Sequence, residues 1–285
     1  MTATVADPLT STMHGRARSR RAGSRKLLIG FGVLLAFVVA AYLVPAVSGI
    51  DPTAQHLDQR LVAPSGAHLF GTDDLGRDVF VRSMAAARVD LPLAILGALI
   101  PAIIGCVLGL IAGYAGRLVD TVVMRLGDIL QSLPSYIFLI IVAFIVGPGV
   151  AAFLIAAAVI SWVIYARLIR SQVLVLRELD YVHAARLSGL GAPRVLLRHV
   201  LPNALPQVIV YLAADAVLSL TFLAGLSFLG LGIPEPTPEW GLMIRSGTLF
   251  LGTSWWLSTF PGLMIVLTGG ALALVSDGLD ERGRV

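Results

Sequence analysis

The sequence predicts an all-α membrane protein of six transmembrane helices with both termini in the cytoplasm, and three observations carry that prediction. The 285 residues are 57% apolar and only 13% charged, against about a quarter charged in an average soluble domain. Mean hydropathy is +0.87, and the apolar residues collect into uncharged runs near the length that crosses a bilayer. Arg and Lys, finally, fall on one side of those runs.

Taken in order, Met1 to Lys26 carries Arg16, Arg18, Arg20, Arg21, Arg25 and Lys26 among small and polar residues. With no hydrophobic period, this stretch is expected to be a largely disordered basic tail. Leu27 to Val47 is apolar and uncharged. It exceeds the h-region of a signal peptide and lacks a small-x-small cleavage site, so it is expected to be a retained first span. Five further runs follow at Leu91 to Ala112, Ile129 to Val146, Val150 to Ala166, Leu205 to Leu229 and Leu257 to Val275. Pro92, Pro101, Pro134 and Gly225 lie inside them, and membrane helices tolerate such residues where neighbours satisfy the freed backbone groups.

Orientation follows from positive charge, which is retained on cytoplasmic flanks. With the amino terminus inside, the tail, Arg117, Arg125, Arg167, Arg170, Arg177, Arg186, Arg194, Arg198, Arg282 and Arg284 are cytoplasmic, and only Arg60, Arg77, Arg82, Arg88 and Arg245 lie outside. Trp240, Trp255 and Trp256 fall on the outer side, where an interfacial aromatic belt would place them. The chain thus divides into a basic cytoplasmic tail (1–26), a first transmembrane helix (27–47), an extracytoplasmic segment (48–90) and a five-helix core (91–280) containing a cytoplasmic loop (167–203).

Composition also narrows the chemistry. A net charge of +4 and a pI near 9.6 would raise nucleic acid as a partner in a soluble chain, but the one-sided placement of the basic residues assigns them to membrane topology. Cys106 is the sole cysteine and reads as a packed apolar residue. Asp73, Asp74 and Asp78 lack the ligand spacing of an EF-hand, and His183 and His199 have no companions at zinc spacing. Neither a phosphate loop nor a His-Glu-x-x-His or Gly-x-Ser-x-Gly motif occurs, so no metal or catalytic residue is assigned. Gly30 and Gly32 read as packing residues. Asp215 is the costliest residue inside a span; it faces either the translocation pathway or a structural partner.

The most specific signal lies in the cytoplasmic loop, Tyr181-Val-His-Ala-Ala-Arg-Leu-Ser-Gly189, continuing to Arg198-His-Val-Leu-Pro202-Asn203. Ala184, Ala185 and Gly189 put small residues at helical spacing, a smooth face for docking. Here the chain resembles the inner-membrane permeases of binding-protein-dependent ABC importers, whose signature is Glu-Ala-Ala, three residues, Gly, nine residues, Ile-x-Leu-Pro. Ala184, Ala185, Gly189, Leu201 and Pro202 match it, while His183 stands for the Glu and His199 for the Ile. The Arg-His-x-Leu-Pro-Asn ending is similar to the dipeptide, oligopeptide and nickel branch. So are Gly71-Thr-Asp-Asp-Leu-Gly-Arg-Asp78 and Gly225-Leu-Ser-Phe-Leu-Gly-Leu-Gly232 with the following Glu239-Trp240-Gly241.

The resemblance covers about residues 27 to 280 and implies a type I ABC importer permease fold, not itself an enzyme. It implies pairing with a second, homologous permease in the lipid bilayer and with two ATP-binding subunits, which hold the ATP and Mg. An extracytoplasmic solute-binding protein would deliver the substrate. Residues 180–192 would be the coupling helix, with Tyr181, His183, Ala184, Ala185, Gly189, Arg198, His199, Leu201 and Pro202 as the ATPase-coupling residues. Peptides are the leading substrate, with nickel or another small solute as the alternative. A stand-alone secondary transporter would need ionisable relays inside the membrane, and Asp215 is nearly solitary.

Overall fold

The computed structural model describes residues 8–283, with side chains described from residue 22 to residue 282. Among these the chain is helical, and its sole bridge pairs Thr72 with Asp78. The long helices are α1 (Pro8–Ser48), α2 (Val79–Ala115), α5 (Val150–Leu176), α8 (Leu201–Phe228) and α10 (Trp256–Gly283). Between them lie α3 (Arg117–Gln131), α4 (Ser135–Val146), α6 (Asp180–Leu187), α7 (Ala192–Val195) and α9 (Trp240–Thr248).

Five helical segments are long and apolar enough to cross a membrane. The run expected from Ile129 to Val146 is not one helix. It breaks at Ser132–Pro134, and α3 and α4 meet at 88°. Pro134 has no N–H to return to the preceding turn and disfavours helical dihedrals at Leu133. The 12 residues of α4 span only about 18 Å, short of a roughly 30 Å hydrocarbon core. At Pro92 and Pro101, by contrast, α2 runs on unbroken.

Other expected boundaries also move. Helix α1 begins at Pro8, so the basic tail from that residue is helical and not disordered; residues 1–7 lie outside the described residues. Arg, Ala and Met are good helix formers, and once the apolar run is helical the segment before it extends an existing helix without a new nucleation cost. Likewise α2 starts twelve residues before Leu91, and α5 continues to Leu176, ten residues into the expected cytoplasmic loop. Arg167 and Arg170 on that extension bond to Asp128 and Asp120 of α3, which ties the end of α5 to α3.

Glycine spacing sets the centre of the fold. Gly105, Gly109 and Gly113 recur every fourth residue on one face of α2, against α5. A Cβ at these positions would lie 2.3 Å from the Trp162 carbonyl, 2.5 Å from that of Ala166 and 2.8 Å from Val173. Small residues at this spacing let two membrane helices approach backbone to backbone. The same device joins α1 to α10: Gly30 abuts the Ala271 carbonyl and Val275, and Gly278 abuts Gly23 and Leu27. Gly32, the other glycine assigned to packing, has open space around it. At the end of this pair Lys26 binds Glu281 at 2.7 Å and Asp277 at 3.3 Å, so the start of the apolar run of α1 and the end of α10 lie on the same side.

Candidate coupling surface and the groups that support it

Helix α6 carries the loop motif. Asp180 stands in its first turn and Arg186 in its last, each charge complementing the end of the helix dipole it occupies. The helix stops in a Schellman turn: Gly189 N–H donates to the Arg186 carbonyl at 2.9 Å and Leu190 N–H to the Ala185 carbonyl at 3.3 Å. Such a turn needs a left-handed residue one position past the cap, and Gly189 has φ +81°. Gly189 therefore ends the helix instead of extending a smooth face with the two alanines.

The alanines themselves divide. Ala185 and Val182 point inward, while Tyr181, His183 and Ala184 are exposed. Leu187 projects from the same outer surface, 90% exposed; the motif comparison did not mark it, because the signature has no fixed residue there. Leu187 thus stands one turn after His183, an exposed apolar side chain on the same face of α6.

Behind this surface α6 is tied to the membrane helices in three ways. Val182 and Ala185 pack into a buried cluster with Ile169, Val173, Val195 and Ala204. The Arg186 guanidinium lies 4.8 Å from the ring centroid of Tyr114 at the end of α2. Finally the Asn203 amide donates to the His199 carbonyl at 2.7 Å, and the Tyr181 hydroxyl approaches both groups at 3.4 Å. Residues Leu196–Val200 form a π-helical turn leading into α8. Pro202, which cannot donate to Arg198, sits where such a turn is needed. Thus Arg198 and His199 are on the π turn, with Arg198 exposed, while Leu201 and Pro202 begin α8.

On the opposite face, Gly71 to Asp78 is an internally satisfied clamp. The Thr72 hydroxyl donates to the Gln59 carbonyl and accepts from Val62 N–H. Asp73 accepts from Leu75 and Arg77 N–H and from Arg77 Nε at 2.6 Å. Asp78 caps α2 by accepting from Val81 N–H at 2.9 Å and faces His68 Nδ1. Arg77 also reaches Glu235 at 2.6 Å. Burial works to lower the Arg77 pKa, but the Glu235 and Asp73 carboxylates outweigh it and hold the group above its ordinary value. Asp73 and Asp78 therefore serve turn, ion pair and cap.

The tryptophans correct the expected aromatic belt, since Trp240 is fully buried and Trp256 nearly so, leaving Trp255 half exposed. Trp240 donates from its indole to the Ser83 carbonyl, and its backbone N–H donates to Asp90 Oδ2. Glu239 caps α9 through Gly241 and Leu242 N–H, at 2.8 and 2.7 Å. Burial pushes the Glu239 carboxyl up, against the pull of those donors. Asp90 Oδ1 is buried with no donor beside it other than the neighbouring Glu239 carboxyl.

Asp215, within α8, is 5% exposed and accepts a 2.9 Å hydrogen bond from the Tyr165 hydroxyl of α5. It borders a small internal cavity with Gly97, Ser161 and Ser219. Its carboxylate thus meets a partner inside its own chain.

Comparison with known proteins agrees with this arrangement. Residues 105–282 match the family described as the binding-protein-dependent transport system inner membrane component. A dipeptide transport system permease protein of Alkalihalophilus pseudofirmus is 36% identical over 279 residues, covering 96% of this chain and 91% of that protein. One of Bacillus subtilis is 36% identical over 264 residues, covering 92% and 82%. A di/tripeptide transport system permease protein of Pseudomonas aeruginosa is 37% identical over 266 residues, covering 91% and 88%. With its membrane-length helices and its α6 motif in one molecule, the chain is a multi-pass inner-membrane protein that belongs to the binding-protein-dependent transport system inner membrane component family.

Proposed function

We propose that the chain is one permease half of an ATP-driven peptide importer, and that the exposed surface of α6 receives the stroke of an ATP-binding subunit. The observation that carries this reading is the contrast between the two faces of α6. Its inner face is fixed to α2, α5 and α8 by packing, a cation–π contact and a polar link, and its outer face presents His183, Ala184 and Leu187 to solvent. A helix so mounted passes a push from outside into the bundle as a rigid-body movement.

In this reading the broken α3–α4 pair is the third of six spans, and both termini are cytoplasmic. The meeting of Lys26 with Asp277 and Glu281 supports the shared side, and the placement of Arg and Lys supports its being cytoplasmic. A second, homologous permease completes the pathway. Two ATP-binding subunits, holding ATP and Mg, press on the two coupling helices, and an extracytoplasmic binding protein delivers peptide to the clamp side. The named substrates of the relatives favour peptides. Asp215 has a structural role in this scheme, joining α8 to α5 through Tyr165 so that movement of one carries the other.

Affinity purification of the tagged chain from its native membrane in mild detergent tests the scheme. Recovery of a second permease and ATP-binding subunits, with vanadate-sensitive ATP hydrolysis, is expected. A chain that elutes alone and without ATPase activity would overturn it.

A further inference from the structure

Between the outer parts of α1 and α2, at the end away from α6, runs an open groove of about 420 Å³. Val38, Ala41 and Tyr42 form one wall and Leu91, Pro92 and Ile95 the other. Val38, Tyr42 and Ile95 are all exposed. The exception to this apolar lining is Arg88, at the rim. Its Nε donates to the Ala41 carbonyl at 2.8 Å, and its guanidinium lies 4.7 Å from the centroid of the Tyr42 ring. Among the described residues no carboxylate pairs with it, whereas Arg77 and Arg82 on the same side both face Asp73.

We infer that this groove is a binding site for an anionic phospholipid, with an acyl chain between α1 and α2 and the phosphate at Arg88. Three physical points select that occupant. Both walls are membrane-length helices, so the medium that covers the groove is the bilayer itself. The guanidinium sits three residues beyond the apolar run that starts at Leu91, the level at which a cationic side chain snorkels to the headgroups. A guanidinium that spends one donor on a carbonyl and rests on an aromatic face keeps its remaining fork for bidentate bonds to a phosphate. Filling the groove would also cover the apolar walls and stiffen the seam between α1 and α2, where Arg88 is already the polar fastening.

The test uses the whole complex, equilibrated with a mixture of phosphatidylglycerol and phosphatidylcholine and examined by native mass spectrometry for retained lipid. Wild type should keep phosphatidylglycerol in preference to phosphatidylcholine by roughly five-fold, the effect of one arginine near an anionic surface. Arg88→Gln should abolish the preference while retaining some lipid of either kind. Ile95→Trp, which fills the groove and leaves the arginine, should reduce both. Thermal stability of each variant shows whether the complex is intact. Equal retention of the two lipids by wild type, or an unchanged preference in Arg88→Gln, would overturn the assignment. So would lipid retained by the isolated chain but absent from the complex, since a protein partner would then cover the groove.

Discussion

Gly189 separates two explanations of the loop motif, a smooth docking face and a left-handed turn. Its φ of +81° puts any L side chain in a region that costs about 1–2 kcal/mol, which lowers the population of the Schellman turn roughly 5–30-fold. No other atom lies within 4 Å of a Cβ built there. In the chain by itself, then, alanine and tryptophan carry the same backbone penalty with no clash at the Cβ, and Gly189→Asn costs less because Asn enters the left-handed region more readily. The complex reconstituted in proteoliposomes, assayed for substrate taken up per ATP hydrolysed, should therefore rank Gly189→Asn above Gly189→Ala. Gly189→Trp should fall below alanine, because the ring would stand where the proposed ATP-binding subunit docks. Equal coupling in Ala and Asn variants would refute the turn requirement, and normal uptake by Gly189→Trp would refute docking at this surface.

Three further outcomes follow from packing and charge. Gly109→Leu should eliminate assembled complex on size exclusion, since even a Cβ would stand 2.5 Å from the Ala166 carbonyl; Gly32→Leu, with open space around it, should not. Tyr165→Phe removes the hydroxyl donor of Asp215 and should cost about 1–3 kcal/mol; in a double-mutant cycle with Asp215→Asn the two losses should be strongly non-additive, and simple additivity would dissolve the proposed α5–α8 link. Glu239 is raised by burial above its ordinary value of 4.5, so between that value and its folded one the native state holds a proton that the unfolded state has lost. Stability of the solubilised complex should accordingly fall as pH rises through that window, and Glu239→Gln should flatten the dependence; an unchanged slope would assign it to other groups.

Much of the fold was legible because bilayer thickness imposes a length on each apolar run, but single residues behaved according to what surrounds them. Pro101 is buried inside α2, and Pro92 is flanked by buried Leu91, Leu93 and Ala94, so packing on both sides holds the helix through them. Around Pro134 the residues from Gln131 to Pro134 are all exposed, and nothing opposes the break. The tryptophans failed as an interfacial belt for a related reason: the carbonyls that receive the Trp240 and Trp256 indoles lie 157 and 184 residues away in sequence, a pairing no local pattern records. Nor can periodicity say where a helix stops, which is why Gly189 looked like a fourth-residue neighbour of Ala185 and is instead the turn beyond it.

The matched motifs then divide by mechanical role, a division that motif matching alone does not supply. Residues 71–78 spend their side chains on one another and on neighbouring loops: Gly71 admits Trp256 and the Val62 carbonyl, and Gly76, at φ +74°, lies against the His56 carbonyl. Gly76→Ala, whose Cβ would collide with the His56 carbonyl, acts through folding and should lower the yield of complex without altering the coupling of what survives. On α6, His183, Ala184 and Leu187 touch nothing that fixes the fold. Leu187→Ser should leave the yield of the chain unchanged, within the roughly ±0.5 kcal/mol usual for surface substitutions, while releasing the ATP-binding subunits or raising ATP hydrolysis per substrate moved. If Leu187→Ser instead lowered chain yield and spared coupling, its exposed position would belong to the fold of this chain and the stroke would have to enter elsewhere.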